Sequence, residues 1–195
     1  RWYSGAGIYR KIQMMAVDPV HVQVWGTQIS TPVIKPNFAE VRVMNTVVNN
    51  SSASEEKFKV ETIILNPKGN EIAKKEVIGT IPSGGKKEME TTVGLTDPQR
   101  WDLQHPVLYQ VKTNIYKGDV LVDSSVSPFG IRSIRITPDH GLYLNDQRVA
   151  LKGVNLHHDH GPLGAAFYPR AMERQIEIMK SMGCNAIRTS HNMAA

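Results

Sequence analysis

Between Lys57 and Ile64 the side chains alternate: Phe58, Val60, Thr62 and Ile64 fall on one face of an extended chain, and Lys57, Lys59 and Glu61 on the other. Successive side chains of a strand point to opposite faces, so the pattern predicts a strand with one buried and one wet side. The same period of two recurs in Ile8 to Val17, His21 to Ile29, Ala39 to Val48, Glu71 to Ile81, Lys86 to Val93, Val107 to Tyr116 and Val120 to Val126. Turn chemistry separates these runs, as in Asp18-Pro19, Asn66-Pro67-Lys68-Gly69-Asn70, Pro82-Ser83-Gly84-Gly85 and Lys117-Gly118-Asp119. Short strands at this spacing fold into a sandwich or a barrel. Tyr109 is either a tyrosine corner, its hydroxyl tied to an upstream backbone group, or an ordinary core aromatic.

After Phe129-Gly130-Ile131-Arg132 the pattern changes. Leu142-Tyr143-Leu144 and Val149-Ala150-Leu151 flank Asn145-Asp146-Gln147, which predicts a hairpin with a polar turn. Gly153 to His157 is a short apolar strand. A helix is expected from Pro169 to Met182, with proline at its first position, Met172, Ile176 and Met179 along one stripe, and Gly183 as a left-handed C-terminal cap. Asn185 to Thr189 reads as a second buried strand. One βαβ unit cannot bury its own sheet, so it predicts the start of something larger.

Composition excludes several classes of function. Hydrophobic residues are 41% and charged residues 21%, ordinary for a globular chain. The net charge of +5 is dispersed in pairs such as Lys74-Lys75 and Lys86-Lys87, which fits solvated strand faces and argues against nucleic acid as a partner. The single cysteine, Cys184, permits no intramolecular disulfide. No apolar run approaches the roughly 18 residues needed to cross a bilayer. A first residue that is not Met, and a strand-like stretch ending in Met193-Ala194-Ala195 without a closing helix, read as the cut ends of a piece.

The chemistry is expected at the carboxyl ends of the two short strands, the rim where an α/β barrel gathers its catalytic side chains. His157-His158-Asp159-His160 follows the first strand and Ser190-His191-Asn192 the second. On extended backbone His157 and Asp159 point one way and His158 and His160 the other, so the cluster does not simply close on one ion. A metal site needs three or four convergent ligands. Besides metal binding and a role as polar loop residues, these imidazoles suit hydrogen bonding to sugar hydroxyls around an oxocarbenium-like transition state.

Three motifs in order resemble the barrel entry of family 2 glycoside hydrolases, most closely of the β-galactosidase type. They are Gly153-Val154-Asn155-Leu156-His157-His158-Asp159-His160-Gly161, Tyr168 to Gln175, and Gly183-Cys184-Asn185-Ala186-Ile187-Arg188-Thr189-Ser190-His191-Asn192. Trp2 to Arg10 is similar to the exit of the family's N-terminal jelly roll, and Trp101, Pro106 to Tyr109 and Phe129 to Arg132 to its sandwich. The resemblance implies a mainly β chain, an immunoglobulin-like β-sandwich followed by a truncated βαβ start of a (β/α)8 barrel. Its implied divisions are 1–15 for the jelly-roll exit, 16–133 for the sandwich and 134–195 for the barrel.

The resemblance further implies a retaining hydrolase of terminal β-galactosides or related β-glycosides, with a carbohydrate as partner and no cofactor or metal in this segment. His157 and His191 are the implied substrate-binding and transition-state residues, with Arg188 and Asp159 as weaker candidates. The family's acid/base and nucleophile glutamates would both lie beyond residue 195, leaving no catalytic residue within the segment and the segment inactive alone. Glu173 and Glu177 do not replace them, because the helix is expected to turn both to solvent. Proline commonly follows the Ser-His-Asn step in the family, and this chain carries Met193 there. A different class of reading makes the chain a non-catalytic immunoglobulin-like structural or carbohydrate-binding module. The few, scattered aromatics of residues 16–133 argue against sugar binding there.

Overall fold

The computed structural model describes residue 8 and residues 11–52, 54–157 and 160–190. The chain forms two compact units, the larger comprising Ala16–Arg135 with Tyr143–Gln147. It holds seven long strands: β1 (Val20–Lys35), β2 (Phe38–Asn49), β3 (Glu55–Leu65), β4 (Glu71–Pro82), β5 (Lys86–Thr96), β6 (Tyr109–Lys117) and β7 (Val120–Phe129). They form a three-stranded sheet ordered β1-β2-β5 and a four-stranded sheet ordered β4-β3-β6-β7. Every pairing within these sheets is antiparallel. Of the two architectures that the alternation allowed, the chain adopts the immunoglobulin-like sandwich.

The inward residues of the two sheets form two apolar clusters. One gathers Val41, Val43, Ile64, Val111, Phe129 and Ile131, and the other Val47, Phe58, Val60, Ile81, Met89 and Ile115. Burying each such side chain contributes about 1.5–3 kcal/mol. Between the clusters four strands each contribute one polar residue: Asn45 on β2, Thr62 on β3, Thr91 on β5 and Thr113 on β6, all essentially inaccessible. Thr27 Oγ1 and Thr113 Oγ1 donate to Asn45 Oδ1 at 2.9 and 3.4 Å, and Thr62 Oγ1 donates to Thr91 Oγ1 at 3.4 Å. Small β-branched hydroxyls fit here because they pack like valine and still satisfy one another.

Tyr109 is the tyrosine corner: its hydroxyl accepts the backbone N–H of Gln99 at 2.9 Å while its ring packs against Phe129. Two expectations are corrected. Residues 11–18 form no strand, although Ile8 to Val17 alternates, and Ile12, Met14, Met15 and Val17 are exposed. Alternation without a partner ladder leaves the backbone unpaired and does not make a strand. The wet face of β3 is not wholly wet either, because Glu61 is buried at 5% exposure. Lys74 Nζ approaches Glu61 Oε1 at 2.5 Å, and Asn114 Nδ2 and Tyr116 Oη donate to Glu61 Oε2 at 2.7 and 3.3 Å. The neighbouring strands β4 and β6 thus cover the carboxylate.

In β1 the register shifts between Val22, opposite Val47, and Thr27, opposite Asn45. The extra residues bulge out and present Trp25 at φ 61 with 95% of its surface exposed.

Beyond the sandwich strands come β8 (Ile134–Thr137), β9 (Gly141–Leu144) and β10 (Gln147–Arg148), a small sheet ordered β10-β9-β8. The expected hairpin is β9-β10. Asn145 and Asp146 both take positive φ, 49 and 65, as a two-residue primed turn requires. Its return strand is Gln147–Arg148, earlier than the Val149 to Leu151 run suggested.

The smaller unit includes residues 136–142 and 148–195. Its strands β11 (Gly153–Leu156) and β12 (Ala186–Thr189) pair in parallel, joined through the helix α1 (Pro169–Ser181). This is the βαβ start of a barrel. Proline begins α1, and Gly183 at φ 88 ends it, its N–H donating to Lys180 O at 3.0 Å while Cys184 N–H reaches Met179 O at 3.1 Å. Met179 is buried, whereas Ile176 stays 43% exposed. Among the described residues no helix is long and apolar enough to cross a membrane.

Candidate active-site rim at the ends of β11 and β12

The register of the parallel pair runs from Gly153↔Ala186 through Val154↔Ile187 and Asn155↔Arg188 to Leu156↔Thr189. Alternation therefore sets Asn155 and Arg188 on one face, with His157 and Ser190 following on that same side, and Val154, Leu156, Ile187 and Thr189 on the other. Asn155, His157, Arg188 and Ser190 thus share one face of the pair, with Thr189 the polar residue on the other. Glycine begins β11 for a steric reason: a Cβ on Gly153 would lie 2.4 Å from the Ala186 carbonyl oxygen. Any side chain there would push the strands apart.

His157 stands just past β11 and is half-buried. Across from it, the Ser190 N–H donates to Leu156 O at 2.8 Å, carrying the ladder one step past β12. Ser190 is buried at 2% exposure, and its Oγ accepts from Arg188 Nη1 at 3.2 Å. The structure thus brings together His157, Ser190 and Arg188 at the carboxyl ends of the two strands. His158, Asp159 and His191 lie outside the described residues.

His160 turns away from solvent, 5% exposed, with its ring 5.7 Å from that of Phe167. Neither of its ring nitrogens has a hydrogen-bond partner among the described residues. No group of three or more His, Cys, Asp or Glu that could hold a metal ion forms among the described residues.

Glu173 and Glu177 lie on the exposed face of α1. Arg170 donates from Nη1 and Nη2 to Glu177 at 2.7 and 3.0 Å, and from Nη1 to Glu173 at 3.3 Å. Hydrogen bonding from Arg170, with the charges of Arg170 and Arg174 adding to it, holds the Glu177 carboxyl below the usual glutamate range.

Sequence reasoning missed Asn185, which it quoted within a motif without giving it a task. Its Oδ1 accepts the Lys152 N–H at 2.8 Å, its Nδ2 donates to Ala150 O at 3.0 Å, and its own N–H donates to Lys152 O at 2.8 Å. No local signal pointed to it, because the backbone groups it bonds lie 33 and 35 residues upstream.

Comparison with known proteins matches these same segments. The model for glycosyl hydrolases family 2 covers residues 21–132, and the model for that family's TIM barrel domain covers residues 134–193. A β-galactosidase of Bacteroides ovatus is 38% identical over 100% of this chain, which covers 23% of that protein. A β-glucuronidase of Bacteroides fragilis is 28% identical over 95% of this chain, covering 27% of that protein. A crystal structure of a glycosyl hydrolase family 2 member from Bacteroides cellulosilyticus superposes with a TM-score of 0.91 at 37% identity, covering 100% of this chain and 25% of that one. The chain spans about a quarter of the length of these relatives.

Proposed function

The chain belongs to glycosyl hydrolases family 2, and from that premise we propose that it is the sandwich and barrel-entry portion of a retaining enzyme that hydrolyses terminal β-galactosides. The observation that carries this reading is the shared polar face of β11 and β12, with His157 past one strand and Ser190, followed by His191, past the other. His157 and His191 hydrogen-bond the hydroxyls of the sugar held at this rim. They gain strength as positive charge spreads over the ring, so they lower the barrier more than they tighten the ground state. Arg188 holds Ser190 in place beside them, and Asp159 is a further polar group of the same loop.

The bond-breaking step belongs to two glutamates outside residues 1–195. One protonates the glycosidic oxygen while the other attacks the anomeric carbon. Water then releases the sugar from the covalent intermediate, with the first carboxylate acting as base. Two carboxylates complete this cycle without a redox or metal cofactor, so none is assigned. Residues 1–195 alone are then inactive. The sandwich of residues 16–133 is a structural spacer between the jelly roll ending at residue 15 and the barrel starting at residue 134. Galactoside is favoured over glucuronide by the higher identity to the Bacteroides ovatus relative, 38% against 28% for the Bacteroides fragilis one.

The test is His157→Ala in the full-length protein, assayed with aryl β-galactoside and aryl β-glucuronide in parallel. The expected result is preference for the galactoside and a loss of about 10²–10³ in kcat, the scale of removing one hydrogen bond that strengthens in the transition state. Undiminished kcat removes the histidine from its role, and preference for the glucuronide reassigns the substrate.

A further inference from the structure

We propose that Asn185 is a positioning residue for this reaction, its side-chain amide locking the level of β12 against β11 and so setting where His157 and the end of β12 meet. The proposal rests on the role given above to His157. Asn185 immediately precedes β12, at the end of the pair away from His157, and acts through that strand.

The need for a lock follows from the topology. Antiparallel partners joined by a tight turn inherit their register from that turn, but a parallel pair is joined by a long crossover that sets none. β11 and β12 share only the rungs from Gly153↔Ala186 to Leu156↔Thr189. A slip of two residues would keep every side chain on its own face, so the hydrophobic pattern does not forbid it. It would carry His157 along β12 by about 6–7 Å, two steps of roughly 3.3 Å each.

Asn185 opposes that slip from the opposite end of the pair. Its acceptor takes the Lys152 N–H, its donor takes Ala150 O, and its main chain takes Lys152 O. Both halves of one amide are used, on backbone groups two residues apart, immediately before the close approach of Gly153 to Ala186. A carboxylate offers the acceptor without the donor, and a serine hydroxyl is too short to span both groups. The asparagine is therefore specific to this register. Sites of this kind tolerate little displacement, about 1 Å costing on the order of 10²-fold in rate.

The experiment compares Asn185→Ala, Asn185→Asp and His157→Ala in the full-length protein, using an aryl β-galactoside from pH 7 down to about pH 4, where an aspartic acid of ordinary pKa is about half protonated. Asn185→Ala is expected to lower kcat by about 10- to 100-fold while KM changes by less than about three-fold. Asn185→Asp is expected to be impaired at neutral pH and to recover relative to the parent as pH falls, because a protonated carboxyl regains the hydrogen that Ala150 O accepts. A residue needed only for folding would reduce the amount of active protein without that recovery.

The proposal is overturned if Asn185→Ala keeps kcat within about two-fold of the parent while His157→Ala is crippled, or if the Asn185→Asp ratio is flat with pH. Should Asn185→Ala not fold, the pH arm of Asn185→Asp decides the question. A fully active His157→Ala overturns the reading of the rim, and this proposal with it.

Discussion

Asn114 stands directly opposite Glu61 across the β3–β6 ladder, and its Nδ2 donates to Glu61 Oε2 at 2.7 Å. Ser124 Oγ, from β7, donates to Asn114 Oδ1 at 2.8 Å, and Lys74, from β4, closes on the other carboxylate oxygen. Four adjacent strands are thereby tied through one buried acid on the outer side of a sheet. Lys74 and Tyr116 shield it from water, so the network is worth more than an exposed pair.

That network predicts an acid-sensitive sandwich. Burial taken alone would raise the Glu61 carboxyl, but Lys74, Asn114 and Tyr116 together outweigh it and hold the group below the ordinary glutamate range. A depressed carboxyl stabilises the fold above its unfolded pKa, and the stabilisation is lost as pH falls through the folded value. Urea midpoints should therefore drop between about pH 5 and pH 3, and Glu61→Gln should flatten that dependence while costing about 1–3 kcal/mol at pH 7. A pH profile of Glu61→Gln parallel to the parent's would remove Glu61 as the cause.

Tyr109→Phe should cost about 1 kcal/mol by leaving the Gln99 N–H without its acceptor. The ring remains and still packs on Phe129, so the denaturant slope should not change. Loss of the slope as well would mean that the corner organises more of the chain than one bond.

Much of the sandwich was legible because its strands each have one face against the core, and that constraint writes a period of two. Residues 11–18 carry the same period and form no strand, since alternation records side-chain polarity and says nothing about whether a partner exists. Glu61 was assigned to water for a related reason: its cover comes from Lys74 and Tyr116 on two other strands, at separations no local window spans. At the rim, the order of motifs located His157 and Arg188. The clamp by Asn185 was invisible, because its partners lie 33 and 35 residues upstream and become neighbours only once the crossover has folded. His191 and Asp159 fall outside the described residues.

Trp25 should be a position where the fold is not at its optimum. A bulky residue at φ 61 is strained by about 1–2 kcal/mol, and with 95% of its surface exposed it recovers little by packing. Trp25→Gly removes the strain at an entropic cost of about 0.5–1 kcal/mol, so the variant should be as stable as the parent or slightly more so. Equilibrium urea unfolding reads this directly. A clear loss of stability would show that the indole is covered in the intact protein.

Glu173 and Glu177 provide the control for the site. Both are exposed acids on α1 that share Arg170, at side-chain exposures of 61% and 59%. Exposed pairs of this kind contribute roughly 0–1 kcal/mol, so Glu173→Gln and Glu177→Gln should each leave the thermal midpoint nearly unchanged. They should also leave kcat unchanged on an aryl β-galactoside, in contrast to His157→Ala. An acid/base or nucleophile glutamate cannot be amidated without losing most of the rate, because the proton transfer or the covalent intermediate depends on its carboxyl oxygens. A fall of 10³-fold or more in either variant would therefore place a reacting carboxylate within α1 and contradict the assignment of both catalytic glutamates to later strands.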